Sequence, residues 1–296
     1  MYSQIAANKR KTFLLMAVFV AFVSTIGYIF AQGYSNPGIF YFVGIGALVY
    51  SIVTYFMSAK IALGMSGAHP IAKKDAPQLY RMVENLSITA GLPMPKVYLI
   101  DDPAPNAFAT GRNPNNAVVA VTTGLIERLE DEEVEGVLAH EMAHIGNYDI
   151  RLMSVTAALV SIISLLSDFF FHANFFGGEE DSSPNPIFFI VGIVMALLAP
   201  LIATVIQLAV SRRREYLADA TAALLTRYPE GLASALEKIS AAHEPVHHAS
   251  TATAHLYIAS PFGPGKGVTG GIARLFSTHP PAEDRIAKLR AMEHKP

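Results

Sequence analysis

Four long apolar runs constrain this chain more than any other feature of its sequence. The first, residues 12–31, carries no charge and has the length of a helix that crosses a bilayer, which takes about 20 residues. Further runs cover residues 39–58, 152–171 and 187–210. The composition, 52% hydrophobic and only 16% charged, agrees with a protein embedded in a membrane. We therefore expect four transmembrane helices, arranged as two hairpins.

The first apolar run favours an uncleaved membrane anchor over a cleaved signal peptide. It follows three basic residues, Lys9-Arg10-Lys11, as either kind of segment can. However, the run is long for a signal peptide, and Ile29-Phe30-Ala31 places a bulky residue where cleavage needs a small one. We therefore expect it to remain in the protein.

Basic residues indicate how the chain is oriented, because they favour the cytoplasmic side in short loops. In the four-helix arrangement they all fall on one side, and the two loops on the other side carry none. These residues are Lys9, Arg10, Lys11, Lys60, Lys73, Lys74, Arg151, Arg212, Arg213 and Arg214. We therefore expect a multi-pass membrane protein with both termini and residues 140–144 on the cytoplasmic side.

The apolar runs divide the chain into alternating membrane and soluble parts. Residues 1–59 form the first hairpin, and residues 60–151 have the character of a soluble domain. Residues 152–210 form the second hairpin, and residues 211–296 return to soluble character. We expect residues 60–151 and 211–296 to make up one cytoplasmic domain.

Within residues 60–151, the pattern changes from a helix to short strands. Residues 75–90 have a helical apolar period that stops at Gly91. Residues 96–100, 107–110 and 117–122 have strand character and are separated by Asp, Pro, Asn and Gly. The expected fold is a mainly α integral membrane protein whose cytoplasmic α+β domain contains a small β-sheet.

The segment His140-Glu141-Met142-Ala143-His144 carries the clearest chemical signal. On a helix, residues four apart share one face, so both imidazoles can bind one metal ion with Glu141 beside it. This is the H-E-x-x-H pattern of zinc peptidases, in which the glutamate takes a proton from a metal-bound water. Because the chain has no cysteine, zinc ligands must come from His, Asp and Glu. The alternative is an exposed helix that carries two histidines by chance.

A catalytic zinc site needs a third protein ligand, and Glu215 and Asp219 are the candidates. They lie four apart on a probable helix after the fourth apolar run, so both carboxylates can face the same place. We assign Glu215 to the metal and Asp219 to the ring N–H of a ligating histidine. Alternatively, the two acids pair with Arg212 to Arg214 on a solvated helix.

One predicted strand is a candidate for substrate binding. In zinc peptidases an extended substrate can pair with a sheet edge beside the metal. We nominate Asn106, Ala107, Phe108 and Ala109 for this role. The alternative is an edge strand that is only covered by a loop.

Taken together, these motifs closely resemble the HtpX family of membrane zinc metallopeptidases. The resemblance rests on the first membrane hairpin, NAFATG (106–111), HEMAH (140–144), the second hairpin, SRRREYLADA (211–220) and STHPPAEDRI (277–286). It implies a zincin-type fold related to the CAAX-processing metallopeptidases, with one Zn2+ per chain bound by His140, His144 and Glu215. It also implies that Glu141 is the catalytic glutamate. Segment 241–253, with His243, His247 and His248, matches no motif of the family.

A zinc peptidase also needs a hydrogen-bond donor that stabilises the oxyanion. We nominate His279, which precedes Pro280 and Pro281, with His255 as a weaker candidate. The alternative is that the turn only docks the C-terminal helix, with Arg285 tied to an acidic residue such as Asp149.

The resemblance implies an endopeptidase of the cell inner (cytoplasmic) membrane that clears misfolded or damaged membrane proteins, so we expect protein or peptide substrates and a lipid bilayer as partners. Two alternatives stay open: a processing peptidase with one defined substrate, and a catalytically silent membrane adaptor. With a net charge of −2 and no long basic run, we expect no nucleic-acid binding. The sequence does not indicate an oligomeric state.

Overall fold

The computed structural model describes residues 2–175, 212–242, 244–250, 252–262 and 280–293. The predicted fourth transmembrane run, residues 187–210, and two residues singled out above, His243 and His279, lie outside these ranges. The predicted total of four transmembrane helices therefore stays a prediction.

Two long apolar helices form a hairpin at the start of the chain. Helix α1 covers Tyr2–Gly33 and helix α2 covers Pro37–Met65, and the side chain of Asn36 caps α2 by accepting from the Gly38 N–H at 3.0 Å. Both are long and apolar enough to cross a membrane. This confirms the two predicted N-terminal apolar helices.

The predicted third run lies in helix α6, Asp149–Phe175, which begins three residues after the end of helix α5, Asp131–Gly146. The two helices meet at 85°. If this bent pair is counted as one span, the described residues contain up to three spans. Helix α6 packs against both α1 and α2, so the three helices form one bundle.

A four-stranded mixed sheet forms the centre of the soluble part. Its strands are β1 (His69–Pro70), β2 (Lys96–Ile100), β3 (Ala107–Gly111) and β4 (Ala117–Thr122). The strand order is β1-β2-β4-β3. Strands β2 and β4 are parallel, and the other neighbours are antiparallel. Strand β3 is therefore an edge strand, as the predicted role in substrate binding requires.

The sheet is buried on both faces, which is why β3 and β4 have no exposed residue. On one face, Ala107 and Ala109 pack against Leu138 and Met142 of α5. On the other, Phe108 packs with residues from α2 and α6, including Ala62 and Met153. The sheet therefore joins the membrane bundle to helix α5.

Helix α5 begins where three acidic residues, Asp131, Glu132 and Glu133, complement the positive end of the helix dipole. The Glu133 carboxylate also accepts from the backbone N–H of Glu130 at 2.8 Å, which supplies one of the terminal hydrogen bonds. The other helices of the soluble part are α3 (Pro77–Ala90), α4 (Thr123–Arg128), α7 (Arg212–Thr226), α8 (Pro229–Ala241) and α9 (Ala282–Glu293). Helices α7 and α8 pack against α5, and α9 packs against both of them.

Candidate metal centre

Three buried side chains converge at the junction of α5 and α7. The ring nitrogens His140 Nε2 and His144 Nε2 are 3.1 Å apart. The Glu215 carboxylate places one oxygen 3.7 Å from His140 Nε2 and the other 3.5 Å from His144 Nε2. Among the described residues, this is the only group of three or more His, Asp or Glu residues whose donor atoms lie close enough to share a metal ion.

The spacing of these donors fits zinc. Zinc binds imidazole nitrogen and carboxylate oxygen at about 2.0–2.2 Å in a tetrahedral arrangement, so its ligand atoms lie about 3.3–3.5 Å apart. The three distances of 3.1, 3.5 and 3.7 Å bracket that value. Three protein ligands also leave the fourth position open, as catalytic zinc sites do.

The other ring nitrogen of His140 is engaged by a carboxylate. His140 Nδ1 lies 2.9 Å from Asp219 Oδ1, so it can donate its proton there and leave Nε2 free for a metal. Arg285 binds Asp219 through two hydrogen bonds, from Nε at 2.9 Å and from Nη2 at 2.6 Å. It donates a third to the carbonyl of Ile258 at 3.1 Å. Arg285 is therefore tied to an acidic residue, as the sequence-based alternative expected, but that residue is Asp219 and not the suggested Asp149, because α9 packs on α7, which carries Asp219.

His144 is held in the same way by a different set of residues. Its Nδ1 lies 3.0 Å from Asp149 Oδ2. The other oxygen of Asp149 accepts from Asn8 Nδ2 at 2.6 Å and from Arg214 Nη1 at 3.3 Å. Both Nε2 atoms therefore face the candidate metal position because both Nδ1 atoms face carboxylates.

The two histidines have opposite pKa shifts. Burial lowers the pKa of His140 to about 4, and the nearby charge of His144 acts in the same direction. Burial would also lower the pKa of His144, but the hydrogen bond to Asp149 and the charge of Glu215 raise it to about 9. Burial alone would raise the pKa of Asp219, but the charge of Arg285 and the hydrogen bonds from His140 and Arg285 together lower it to about 2. Asp219 is therefore ionised and can accept the His140 proton.

Glu141 is buried beside the three candidate ligands. The backbone of Ala109 on strand β3 lies near its carboxylate and favours the ionised form. Burial raises the pKa of Glu141 to about 7, and the charge of Glu215 contributes to the increase. A carboxyl group with a pKa near neutrality can both accept and release a proton at physiological pH, which is what a general base that later acts as an acid must do.

The predicted substrate-binding residues lie along β3, and part of its outer edge is covered. The Ala107 carbonyl accepts from the backbone N–H of Ile258 at 2.9 Å, and the Asn106 amide donates to the carbonyl of Ala259 at 3.1 Å. Phe108 points to the opposite face, where its ring meets Tyr257 at 5.1 Å. Ala109 lies next to Glu141. The structure thus places this strand at the candidate centre, with residues 258–259 over its first part.

The remaining histidines that the sequence singled out have other contacts or lie outside the described residues. His279 and His243 lie outside them. His255 is buried and lies 3.0 Å from the carbonyl of Met153 on α6 through its Nε2. His247 bonds to the buried Asp102 through both its ring Nδ1 and its backbone N–H.

The sequence did not identify Asp149, Asn8 or Arg214 as parts of the site. For Asp149 a signal existed: it follows His144 by five residues, just after the helix ends at Gly146. Arg214 immediately precedes Glu215, but the sequence analysis interpreted it as a basic residue of the cytoplasmic side and as a surface partner of the nearby acids. Asn8 lies 141 residues from Asp149, and no local pattern connects them.

Comparisons with known proteins agree on one family. The model of peptidase family M48 matches residues 73–293. A protease HtpX homolog from Tropheryma whipplei (strain Twist) is 48% identical over 99% of this chain and 98% of its own length. Similar homologs come from Dictyoglomus thermophilum, at 46% identity over 98% and 94%, and from Streptococcus gordonii, at 42% over 99% and 100%.

A solved structure shares the fold. The crystal structure of Ste24p from S. mikatae superposes with a TM-score of 0.52, covering 98% of this chain and 67% of that one. At 20% identity this likeness concerns the fold alone. The sequence matches decide the family, and they extend over nearly the whole chain. The chain therefore belongs to peptidase family M48 of metalloproteases and, within it, to the HtpX proteases.

Proposed function

We propose that the protein is a zinc-dependent endopeptidase of the cell inner membrane, and that it cleaves misfolded or damaged membrane proteins on the cytoplasmic side. One observation carries the proposal: the Nε2 atoms of His140 and His144 lie 3.1 Å apart, and each lies within 3.7 Å of an oxygen of Glu215. Both ring Nδ1 atoms face carboxylates, so the two Nε2 atoms are oriented before any ion arrives. We propose one Zn2+ per chain.

The residues around this point suit peptide hydrolysis. When bound, zinc supplies a Lewis acid that polarises the scissile carbonyl and makes water more acidic. Glu141 takes the proton from the attacking water and passes it to the leaving amine. The backbone of Ala109 on strand β3 lies near the Glu141 carboxylate. Asp219 and Asp149 hold the imidazoles, with Arg285 and Asn8 behind them.

The proposed orientation is supported by how the basic residues cluster. The Lys9 ammonium lies 4.5 Å from the centre of the Tyr148 ring, and the Arg151 guanidinium lies 5.1 Å from the same ring. Arg214 binds Asp149, the residue that follows Tyr148 in the chain. These cations come from three helices and gather at one end of the membrane bundle, which fits the cytoplasmic surface.

Membrane proteins are proposed as substrates because the candidate centre lies next to the membrane bundle. Only Asp149 separates His144 from Asn8, a residue of the apolar helix α1. Strand β3 also contacts α2 and α6. A polypeptide that leaves the bilayer next to this bundle would therefore reach the site without crossing open solvent.

The test uses the full chain purified in detergent and loaded with zinc. It is offered an unfolded membrane protein and a short peptide with a lipidated C-terminus, and Glu141→Gln at matched zinc content serves as the blank. We expect cleavage of the unfolded protein at several sites by the wild type and none by the variant.

Each alternative predicts a different result. A single cut in the lipidated peptide, with the unfolded protein intact, would favour the processing peptidase. If the zinc-loaded wild type cleaves neither, the endopeptidase proposal is wrong and a silent adaptor is favoured.

A further inference from the structure

A buried side chain of the first membrane helix reaches the surroundings of the candidate metal centre. Asn8 is only 3% exposed, although it lies near the start of α1 and far along the chain from every other residue of the site. Its amide nitrogen donates to Asp149 Oδ1 at 2.6 Å and to the carbonyl of Asn147 at 3.0 Å. Its amide oxygen accepts from Arg214 Nη1 at 3.2 Å. Both hydrogens and the oxygen of the amide are therefore used.

These bonds stabilise the bend between α5 and α6. Asn147 follows the last residue of α5, and Asp149 is the first residue of α6. Between them, Tyr148 has a φ of 60°, in the left-handed region that a bulky residue adopts only when its surroundings hold it there. Asn8 binds the residue on either side of Tyr148. It therefore helps to maintain the 85° bend between the two helices.

The same bonds orient the partner of a candidate ligand. Asp149 has two oxygens: Oδ2 faces His144, and Oδ1 receives Asn8 and Arg214. A carboxylate held at Oδ1 cannot rotate freely, so Oδ2 stays in position to accept the His144 Nδ1 proton. The bond from Asn8 is 0.7 Å shorter than the bond from Arg214 (2.6 against 3.3 Å).

We propose that Asn8 is a positioning residue for the metal centre, acting through Asp149 on His144, and that it makes the first membrane helix part of that centre. This inference rests on the proposed function, because it takes His144 to be a metal ligand. Arg214 immediately precedes Glu215 and binds both Asn8 and Asp149. The contact therefore ties α1 to the helices that carry all three candidate ligands.

The test measures zinc affinity by competition with a chelator, on the full chain in detergent. Asn8→Ala removes the amide. The matched control is Thr12→Val, which removes another fully buried polar group one turn along α1. The Thr12 hydroxyl donates only to the Asn8 carbonyl, at 2.9 Å, so this change leaves the Asn8 amide in place.

We expect Asn8→Ala to weaken zinc binding about 10-fold, the lower end of the range for outer partners of zinc-bound histidines, and Thr12→Val to leave it unchanged. A double-mutant cycle shows whether Asp149 transmits the effect. In an Asp149→Asn background, Asn8→Ala should cause little further loss. A structural role alone would add the same loss in both backgrounds. Should Asn8→Ala not fold, Asn8→Ser provides the same comparison, because its hydroxyl is too short to reach Asp149.

The outcomes separate this inference from the proposed function. Equal zinc affinity in the wild type and Asn8→Ala, or an equal loss in Thr12→Val, would overturn the role of Asn8 and leave the zinc site intact. If the wild type itself binds no zinc, the proposed function is wrong and the role of Asn8 is lost with it.

Discussion

The two histidines of the candidate metal centre are held by the same chemistry from two different parts of the molecule. His140 is held by Asp219 and Arg285, which belong to helices α7 and α9. His144 is held by Asp149 and Asn8, which belong to helices of the membrane bundle. The centre is therefore built across the boundary between the two parts. Neither part on its own contains the residues that orient both imidazoles.

The two histidines also differ in the charge of the group that binds their carboxylate partner. On the His140 side, a guanidinium binds the carboxylate through two hydrogen bonds. On the His144 side, a neutral amide makes the shorter bond and Arg214 a longer one. Burial lowers the pKa of His140 to about 4. At His144, burial is opposed by the hydrogen bond to Asp149 and the charge of Glu215, and the pKa rises to about 9. The following predictions compare the partners of the two histidines.

The largest effect should come from Glu215, the candidate ligand that lies close to both histidines. Glu215→Ala removes a ligand, so we expect zinc affinity to fall by more than about 100-fold, beyond the loss that an outer partner causes, and proteolysis to disappear. Chelator competition measures the affinity. Glu84→Ala, which removes an exposed carboxylate on α3, is the control and should bind zinc normally.

The next effect concerns the His140 side and is measured as stability. Arg285→Met leaves the buried Asp219 carboxylate without its cationic partner, so we expect the free energy of unfolding to fall by about 3–5 kcal/mol. The control is Arg290→Met on the same helix, because Arg290 pairs with Glu230 and Glu237 at the surface, where such pairs contribute little to stability. Equal losses in denaturant titrations of the two variants would contradict the proposed role of Arg285.

Metal removal should affect both histidines together, because both are candidate ligands of the same ion. At a free zinc concentration of 100 times the dissociation constant, binding stabilises the folded protein by about 2.7 kcal/mol, and a chelator should remove that amount. The measurement is the melting temperature with and without the chelator. In Glu215→Ala the chelator should make no difference, and a shift there equal to that of the wild type would show that zinc binds elsewhere.

The smallest effect should distinguish the two carboxylates. Asp219→Asn and Asp149→Asn each weaken the hydrogen bond to one imidazole, and we expect zinc affinity to fall about 10- to 100-fold in each. The loss should be larger for Asp219→Asn, because it also leaves the buried Arg285 guanidinium without its anion. The reverse order in chelator competition would mean that Asp149, in the membrane bundle, contributes more to zinc affinity than Asp219.

Local patterns predicted much of the fold. Strands β2 and β4 have the predicted bounds, and α3 ends at Gly91, whose φ of 64° needs a glycine. Each of these elements has a periodicity and a boundary signal of its own. The convergence of His140, His144 and Glu215 was also expected, because the H-E-x-x-H spacing sets two of them and the second hairpin returns the chain to the third.

The outer partners of the site could not be predicted from local patterns. Arg285 was expected beside Asp149 as an alternative, but it binds Asp219, and this depends on how α9 packs on α7. Asn8 was part of a short polar stretch before an apolar run and had no visible partner. Its contact with Asp149 requires α1 to lie against the start of α6, and only the packed bundle provides this.

The most direct test of the metalloprotease centre is a cleavage assay on the wild type and Glu141→Gln, each carrying one zinc per chain. The substitution is nearly isosteric and leaves His140, His144 and Glu215 in place, so zinc content should be unchanged. We expect cleavage to fall by about 100- to 10,000-fold, the range that a general base contributes. Cleavage at the wild-type rate by the zinc-loaded variant would contradict the account, because the proton would then be taken by another group.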